Sequence, residues 1–106
     1  MTNMIIFRGT TPIIQYAFKT MLTSQIQTAY MTVKQGGGLI VELSLAEAEV
    51  GEKTLSWTLT QEDTLKLRDS IEPVEIQLRY KLSDGTACDT EISYFKVGRI
   101  LKDGVI

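Results

Sequence analysis

The stretch Val74-Glu75-Ile76-Gln77-Leu78-Arg79-Tyr80-Lys81-Leu82 alternates apolar and polar residues along its whole length. Successive side chains of a strand point to opposite faces of a sheet, so this pattern predicts a strand with one buried and one solvated face. Asp84-Gly85 follows, a pair that suits the positive φ angles of a two-residue type I′ turn. We therefore predict a hairpin whose second strand covers residues 86 to about 97, with a bulge or a switch of sheet near residues 93–95.

Five further segments have strand patterns and extend the prediction to a β-sandwich. They are residues 4–8, 14–18, 29–33, 39–45 and 55–59. The Gly36-Gly37-Gly38 run between two of them predicts a loose hairpin. Together with the hairpin above they make seven strands at the spacing typical of a sandwich. We predict one all-β domain over residues 1–106, an antiparallel Ig-like β-sandwich.

One segment departs from the alternation and predicts a short helical crossover. Thr60 can cap a helix over residues 61–67, and Asp63 stands three residues later, in the position of the capping-box acid. We expect Leu65 to close one open end of the sandwich. Residues 46–52 could alternatively form a helical turn, which Gly51 limits.

The composition excludes several kinds of catalysis. The 106 residues include no histidine and one cysteine, so Ser–His–Asp catalysis, histidine ligation of zinc and an intrachain disulfide are all impossible. Cys88 is expected to be a reduced, half-buried thiol. The acids Glu47, Glu49 and Glu52 lack the spacing of a calcium loop. We expect no enzymatic activity, no catalytic residues, no metal and no cofactor.

Charge is unevenly distributed along the chain, whose net charge is −2. Residues 1–41 have three bases and no acid, residues 42–75 nine acids and three bases, and residues 76–106 five bases and four acids. The balance argues against nucleic acid as a partner, since phosphate binding needs a basic surface. A mixed solvated surface is the simpler interpretation of the pattern. The alternative is a subunit whose acidic side meets a basic side of its neighbour.

No segment predicts a membrane partner or export. The first eight residues lack the basic region and the long apolar run of a signal peptide. No apolar run elsewhere approaches the ~20 residues that a spanning helix requires. We therefore expect a cytoplasmic protein when it is synthesised.

Three segments of the chain resemble elements of a known group of proteins. Arg8-Gly9-Thr10-Thr11-Pro12 resembles the "RGTTP" opening of small tail and baseplate proteins from phages and prophages of Gram-positive bacteria. Residues 59–67 are similar to the "LTQEETLKL" element of that group, and residues 73–104 to its typical ending. The layout also resembles the N-terminal domain of the baseplate upper protein, a β-sandwich of Ig-like character.

The resemblance implies a non-enzymatic virion structural protein, a subunit or adaptor of the tail, baseplate or connector, located in the virion once assembled. It would act by protein–protein assembly, with other virion proteins and further copies of itself as partners. Exposed edge strands and loops are the usual means of such contacts. The candidate contacts are Met4, Ile5, Ile6 and Phe7 of the first strand, Gly36, Gly37 and Gly38 of the hairpin, and Ile100, Leu101, Val105 and Ile106 of a tail that is unusually apolar for a chain end.

Two other functions are compatible with the sequence. One is a carbohydrate- or cell-surface-binding β-sandwich module, which would need exposed aromatic rings. Few aromatic rings are expected to be exposed, which argues against this function. Trp57 is expected in the core because leucines flank it on the same face of its strand. Tyr16 and Tyr80 are expected to point inward and Tyr30 outward. The other is a host-directed regulator encoded by a prophage.

Overall fold

The computed structural model describes residues 4–106, which fold into two packed β-sheets. Within these residues the nine strands are β1 (Ile5–Phe7), β2 (Ile13–Ala17), β3 (Ile26–Gln35), β4 (Gly38–Ser44), β5 (Glu49–Val50), β6 (Thr54–Thr58), β7 (Val74–Leu82), β8 (Ala87–Asp89) and β9 (Ser93–Gly98). One α-helix, α1 (Gln61–Leu65), and two 3₁₀ turns (Thr23–Gln25 and Leu45–Glu47) complete the fold. The predicted all-β sandwich is confirmed, with more and shorter strands than expected.

The strand order is that of an Ig-like sandwich. One sheet has the order β1-β9-β7-β3-β4, with β8 also paired to β7, and the other has the order β2-β6-β5. All pairs are antiparallel except β1 and β9, in which Ile6 lies opposite Val97 in a parallel register. This exception to the antiparallel prediction arises because β1 leads into a strand of the other sheet, so no hairpin fixes its direction.

The core lies between the sheets and is formed mainly by inward-facing residues of β3, β6 and β7, with Ile6 of β1, Ile40 of β4 and Leu67 of the crossover. It includes Met31, Val33, Leu55, Trp57, Leu59, Val74, Ile76 and Leu78. Trp57 is buried as predicted, and its Nε1–H donates to the carbonyl oxygen of Ser44 at 2.9 Å. Tyr16 packs edge-on against Trp57, with ring centroids 6.4 Å apart. Tyr80 also points inward and Tyr30 points outward, as the alternation predicted.

The β7–β8 hairpin differs from the predicted type I′ turn. Leu82 and Thr86 close a three-residue loop, in which only Gly85 has a positive φ, of 93°. The Asp84 carboxylate accepts the Thr86 N–H at 2.9 Å, and this bond lowers the pKa of the Asp84 carboxyl group. Asp84 does not have the positive φ that a type I′ turn requires. A three-residue loop with glycine in the left-handed region is the next most common hairpin.

The return strand is interrupted at residues 90–92, slightly earlier than the predicted bulge. Arg79 lies opposite Asp89, whereas Ile76 lies opposite Ser93, so one extra residue has been inserted between the two registers. The Thr90 hydroxyl accepts the Leu78 N–H at 3.1 Å and so takes the place of a ladder bond. An irregularity was therefore expected correctly, although its position was not.

The crossover helix begins as predicted and ends earlier. Thr60 and Asp63 form the capping box, with each side chain accepting the other residue's backbone N–H at 3.1 Å. The helix ends at Leu65, and Leu67 is the leucine that enters the core. Leu65 is only half-buried, so the prediction that it closes the sandwich is corrected to Leu67. No helix within residues 4–106 has the length and apolar character to cross a membrane.

Candidate assembly surface

Strand directions bring four segments of the chain to one end of the sandwich, which we call the helix end. β1, β3 and β9 finish there, and β7 begins there. The helix end therefore contains residues 8–12, the hairpin at residues 36–37, the crossover at residues 59–73 and the tail at residues 99–106. The opposite end contains residues 18–25, 44–53 and 82–86.

Arg8 links the first strand to the crossover helix. Its Nε donates to the carbonyl oxygen of Leu67 at 2.8 Å, and its Nη2 donates to that of Leu65 at 3.1 Å. Leu65 is the last residue of α1 and Leu67 lies two residues beyond it, so these carbonyls have no intrahelical partners and a positive charge is favourable beside them. Arg8 Nη1 also lies 3.4 Å from Asp103 Oδ1 of the tail.

Residues 8–12 and residues 59–67 contact each other directly. The Thr64 hydroxyl donates to the Thr10 carbonyl oxygen at 2.8 Å, and the Leu59 N–H donates to the Pro12 carbonyl oxygen at 2.9 Å. Gly9 has a φ of 74°, which favours glycine. Both motifs therefore have a structural role, since together they fix the geometry of the helix end.

The tail lies against α1 through polar contacts and exposes its apolar side chains. The Ile106 N–H donates to Gln61 Oε1 at 2.8 Å. Leu101 is 90% exposed and Ile106 is 88% exposed, and Val105 is also exposed. Ile100, in contrast, is half-buried near Gly9. Three of the four predicted tail residues therefore offer free apolar surface.

The glycine hairpin is tight, unlike the loose hairpin that was predicted. Gly36 and Gly37 have φ angles of 58° and 80°, and they form a two-residue turn between β3 and β4. Positive φ at both central positions is the signature of a type I′ turn. The glycines are required because other residues rarely adopt these angles. Gly38 is the first residue of β4 rather than part of the turn.

Gln35, which sequence reasoning missed, anchors this hairpin to the crossover. Its side chain is fully buried, donates to the carbonyl oxygens of Arg68 and Glu72 at 2.9 and 3.0 Å, and accepts the Arg68 N–H at 2.7 Å. Arg68 in turn pairs with Glu72 at 3.1 Å. The alternation places Gln35 on the same face of β3 as the buried Ala29, Met31 and Val33, which indicates that its side chain is buried. Because a buried amide needs several hydrogen-bond partners, this position indicates an anchoring role.

The first strand is an edge strand with mixed exposure. Ile6 is 4% exposed and belongs to the core, so it is not available as the assembly contact that was predicted. Met4, Ile5 and Phe7 are each about half-exposed. The ring of Phe7 lies over Gly98 of β9, where any larger residue would clash with it.

Exposed large apolar side chains are concentrated at the helix end. Those in its loops or immediately beside them are Phe7, Ile13, Leu39, Ile71, Leu101, Val105 and Ile106. At the opposite end the described residues include two, Leu22 and Val50. Ile71 is fully exposed, at 102% of its reference area. Concentrated exposed apolar surface is characteristic of interaction sites.

The acidic middle of the sequence does not form one acidic side. The acids within residues 47–52 lie at the opposite end, and those within residues 62–72 lie at the helix end. The chain crosses the length of the sandwich between them along β6. Several of these acids also have local roles: Glu47 accepts the Ser44 N–H at 3.0 Å, and Asp63 caps α1. The mixed-surface interpretation of the charge pattern fits this arrangement better.

A shallow hollow of about 320 Å³ lies on the outer face of the larger sheet and is lined in part by Tyr30, Glu42 and Arg79. Tyr94 is exposed on the same face. The strand register places Tyr94 two strands and four residues from Tyr30, a separation of ~16 Å between Cα atoms. The two rings are therefore too far apart to form one stacking platform for a sugar.

Cys88 is a free cysteine and is half-buried, as the sequence predicted. It lies opposite Tyr80. Burial raises the pKa of the Tyr80 hydroxyl, and the neighbouring Cys88 adds to the rise.

Comparison of the chain with family models, curated proteins and solved structures found no match.

Proposed function

We propose that this chain is a non-enzymatic structural subunit of a phage or prophage virion, an adaptor of the tail, baseplate or connector, and that its helix end docks onto another virion protein. The observation that carries the proposal is the concentration of exposed apolar side chains at that end. The sequence resemblance in residues 8–12 and 59–67 supplies the virion context, and both segments build the same end.

The hydrogen bonds at this end favour a preorganised surface. Arg8, Gln35 and Gln61 each use side-chain groups to hold a neighbouring backbone segment in place. A surface already ordered before binding loses less conformational entropy on docking. Burying three exposed isoleucine or leucine side chains contributes roughly 5–9 kcal/mol before that entropy is subtracted. Association itself costs about 4–15 kcal/mol, so Ile71, Leu101 and Ile106 supply a substantial part of the docking energy and further contacts must supply the rest.

Removal of residues 103–106 tests the proposal in a phage that encodes this chain. The truncation removes Val105 and Ile106 together with the contacts to Arg8 and Gln61. Since Asp103 is exposed and Arg8 keeps its two bonds to backbone carbonyls, the free energy of unfolding should fall by less than about 1 kcal/mol. A loss of about 1.4 kcal/mol of docking free energy weakens binding 10-fold. We therefore expect the truncated gene to complement a deletion at least ~10-fold less well than the full-length gene. The number of infectious particles measures complementation.

Val50→Lys is the matched control, because Val50 is an exposed apolar residue at the opposite end. It should complement like the wild-type gene. Equal complementation by the truncated chain and the wild-type chain would exclude the tail from the docking surface.

A carbohydrate-binding function is the second candidate, and the exposed Tyr30 beside the hollow supports it. Arg79 and Glu42 lie beside this ring and could hydrogen-bond sugar hydroxyls. If this function is correct, Tyr30→Ala should weaken binding to purified cell-wall polysaccharide by about 2- to 12-fold, since ring stacking contributes about 0.5–1.5 kcal/mol. Tyr94→Ala, a ring on the same face outside the hollow, should leave binding unchanged. No binding by the wild-type chain in calorimetry would eliminate this candidate.

A further inference from the structure

β1 pairs with β9 through one side of its backbone, and its other side leaves one edge of the larger sheet open. The Lys96 N–H donates to the Met4 carbonyl oxygen at 2.9 Å, and the Arg8 N–H donates to the Gly98 carbonyl oxygen at 3.1 Å. Because backbone groups alternate along a strand, residues 4, 6 and 8 face β9. The backbone N–H and C=O groups of Ile5 and Phe7 therefore point away from the sheet. Within residues 4–106 no other strand pairs with this edge.

β1 is only three residues long, but it lacks the charges, the bulge and the proline that protect the other edges from pairing. β4 contains a bulge and the charged Glu42, and β5 is two residues long and includes Glu49. β2 follows Pro12, which has no N–H to donate. Charges, bulges, prolines and very short strands are the usual means of blocking edge-to-edge pairing. Ile5–Phe7 contains neither a charge nor a proline, and its pairing with β9 has no bulge.

We propose that β1 pairs with β1 of a second copy of this chain, antiparallel and about a two-fold axis through Ile6. Ile5 of each copy then lies opposite Phe7 of the other, and each such pair exchanges two backbone hydrogen bonds. The Phe7 carbonyl oxygen already accepts the Thr10 hydroxyl at 2.7 Å, and it retains a second lone pair for the new bond. The larger sheets of the two copies become continuous.

The available area and charge fit a weak but specific dimer. Met4, Ile5, Phe7 and Tyr94 are each about half-exposed near this edge, so with the backbone they present on the order of 500 Å² per copy, close to the ~1,000 Å² total of the smallest specific interfaces. Lys96 is the charged residue beside Ile5. Its two copies lie three strand spacings apart, roughly 14 Å, beyond the Debye length of ~8 Å in physiological salt. Like-charge repulsion is therefore small.

This contact shares Phe7 with the helix end but does not use Ile71, Leu101 or Ile106, and it does not depend on a virion function. Sedimentation equilibrium of the full chain should give twice the chain mass at high concentration, with a Kd on the order of 10–100 μM. The Kd should be nearly independent of salt, in contrast to a head-to-tail electrostatic contact. Monomer at all concentrations up to roughly 1 mM, where an interaction of about 4 kcal/mol would already be detected, overturns the proposal.

Ile5→Pro should raise the Kd at least ~10-fold, which corresponds to 1.4 kcal/mol, because it removes only the N–H that points away from β9. Ile5→Lys provides a second variant that blocks the edge by charge. Val50→Lys, which replaces an exposed apolar residue at the opposite end of the sandwich, is the control and should dimerise normally. A dimer unaffected by both changes at Ile5, with native thermal unfolding, would show that another surface mediates association.

Discussion

Replacing Trp57 by alanine is expected to lower the free energy of unfolding by about 3–5 kcal/mol, a large part of the stability of a chain this size. The side chain is 1% exposed and lies between the two sheets. The substitution leaves a cavity beside Tyr16 and also leaves the Ser44 carbonyl oxygen without its indole partner. The two losses act together because the ring and its Nε1–H occupy the same site.

Urea unfolding followed by far-ultraviolet circular dichroism measures this effect, since the only tryptophan fluorophore is lost. Trp57→Phe is the matched control, because it keeps an aromatic ring against Tyr16 but removes the hydrogen bond to Ser44. It should cost about 1–2 kcal/mol, less than the alanine variant. A loss below ~1 kcal/mol for Trp57→Ala would mean that Trp57 is not in the core.

Replacing Gln35 by alanine is expected to cost about 2–4 kcal/mol, the second largest effect, because three hydrogen bonds to the crossover are lost together. The amide is fully buried, so the three backbone groups that it satisfies would lack partners inside the protein. The hairpin at Gly36 and the loop around Arg68 should then separate locally before the sandwich unfolds.

Chemical denaturation gives the stability loss for Gln35→Ala, and amide hydrogen exchange locates it. Faster exchange should appear in residues 66–73, with protection of the β3–β7 ladder largely retained. Gln27→Ala changes an exposed glutamine on the same strand and should shift stability by less than about 0.5 kcal/mol. A Gln35 variant that unfolds like wild type would contradict the role of this amide as the anchor of the hairpin.

Much of the fold could be predicted because period-two alternation reports burial directly. Val74, Ile76, Leu78 and the two leucines that flank Trp57 are in the core, and Tyr80 and Leu82 pack against it. Alternation does not show the direction of an edge strand that no hairpin joins to its neighbour. The parallel pairing of β1 with β9 therefore differs from the prediction. The turn at Asp84 also depends on one side-chain contact, with the Thr86 N–H, which competes with the expected backbone angles.

Less of the candidate surface could be predicted, because it depends on contacts between segments that are distant in sequence. Ile71 carries no pattern that distinguishes it from a core residue, yet it is fully exposed. Ile6 and Ile100 were grouped with exposed neighbours although one is in the core and the other is half-buried. Arg8, Gln35 and Gln61 act on backbone groups 33 to 59 residues away in sequence. Spacing within one segment contains no information about such partners.

The protein composition of purified phage particles tests the central claim, that this chain is an assembled virion subunit, most directly. Quantitative mass spectrometry of density-purified particles from a strain that encodes the chain should find it in a fixed ratio to the other tail proteins. That ratio should stay constant through further purification. Particles that are infectious and lack the chain, from cells in which it is abundantly expressed, would contradict the claim.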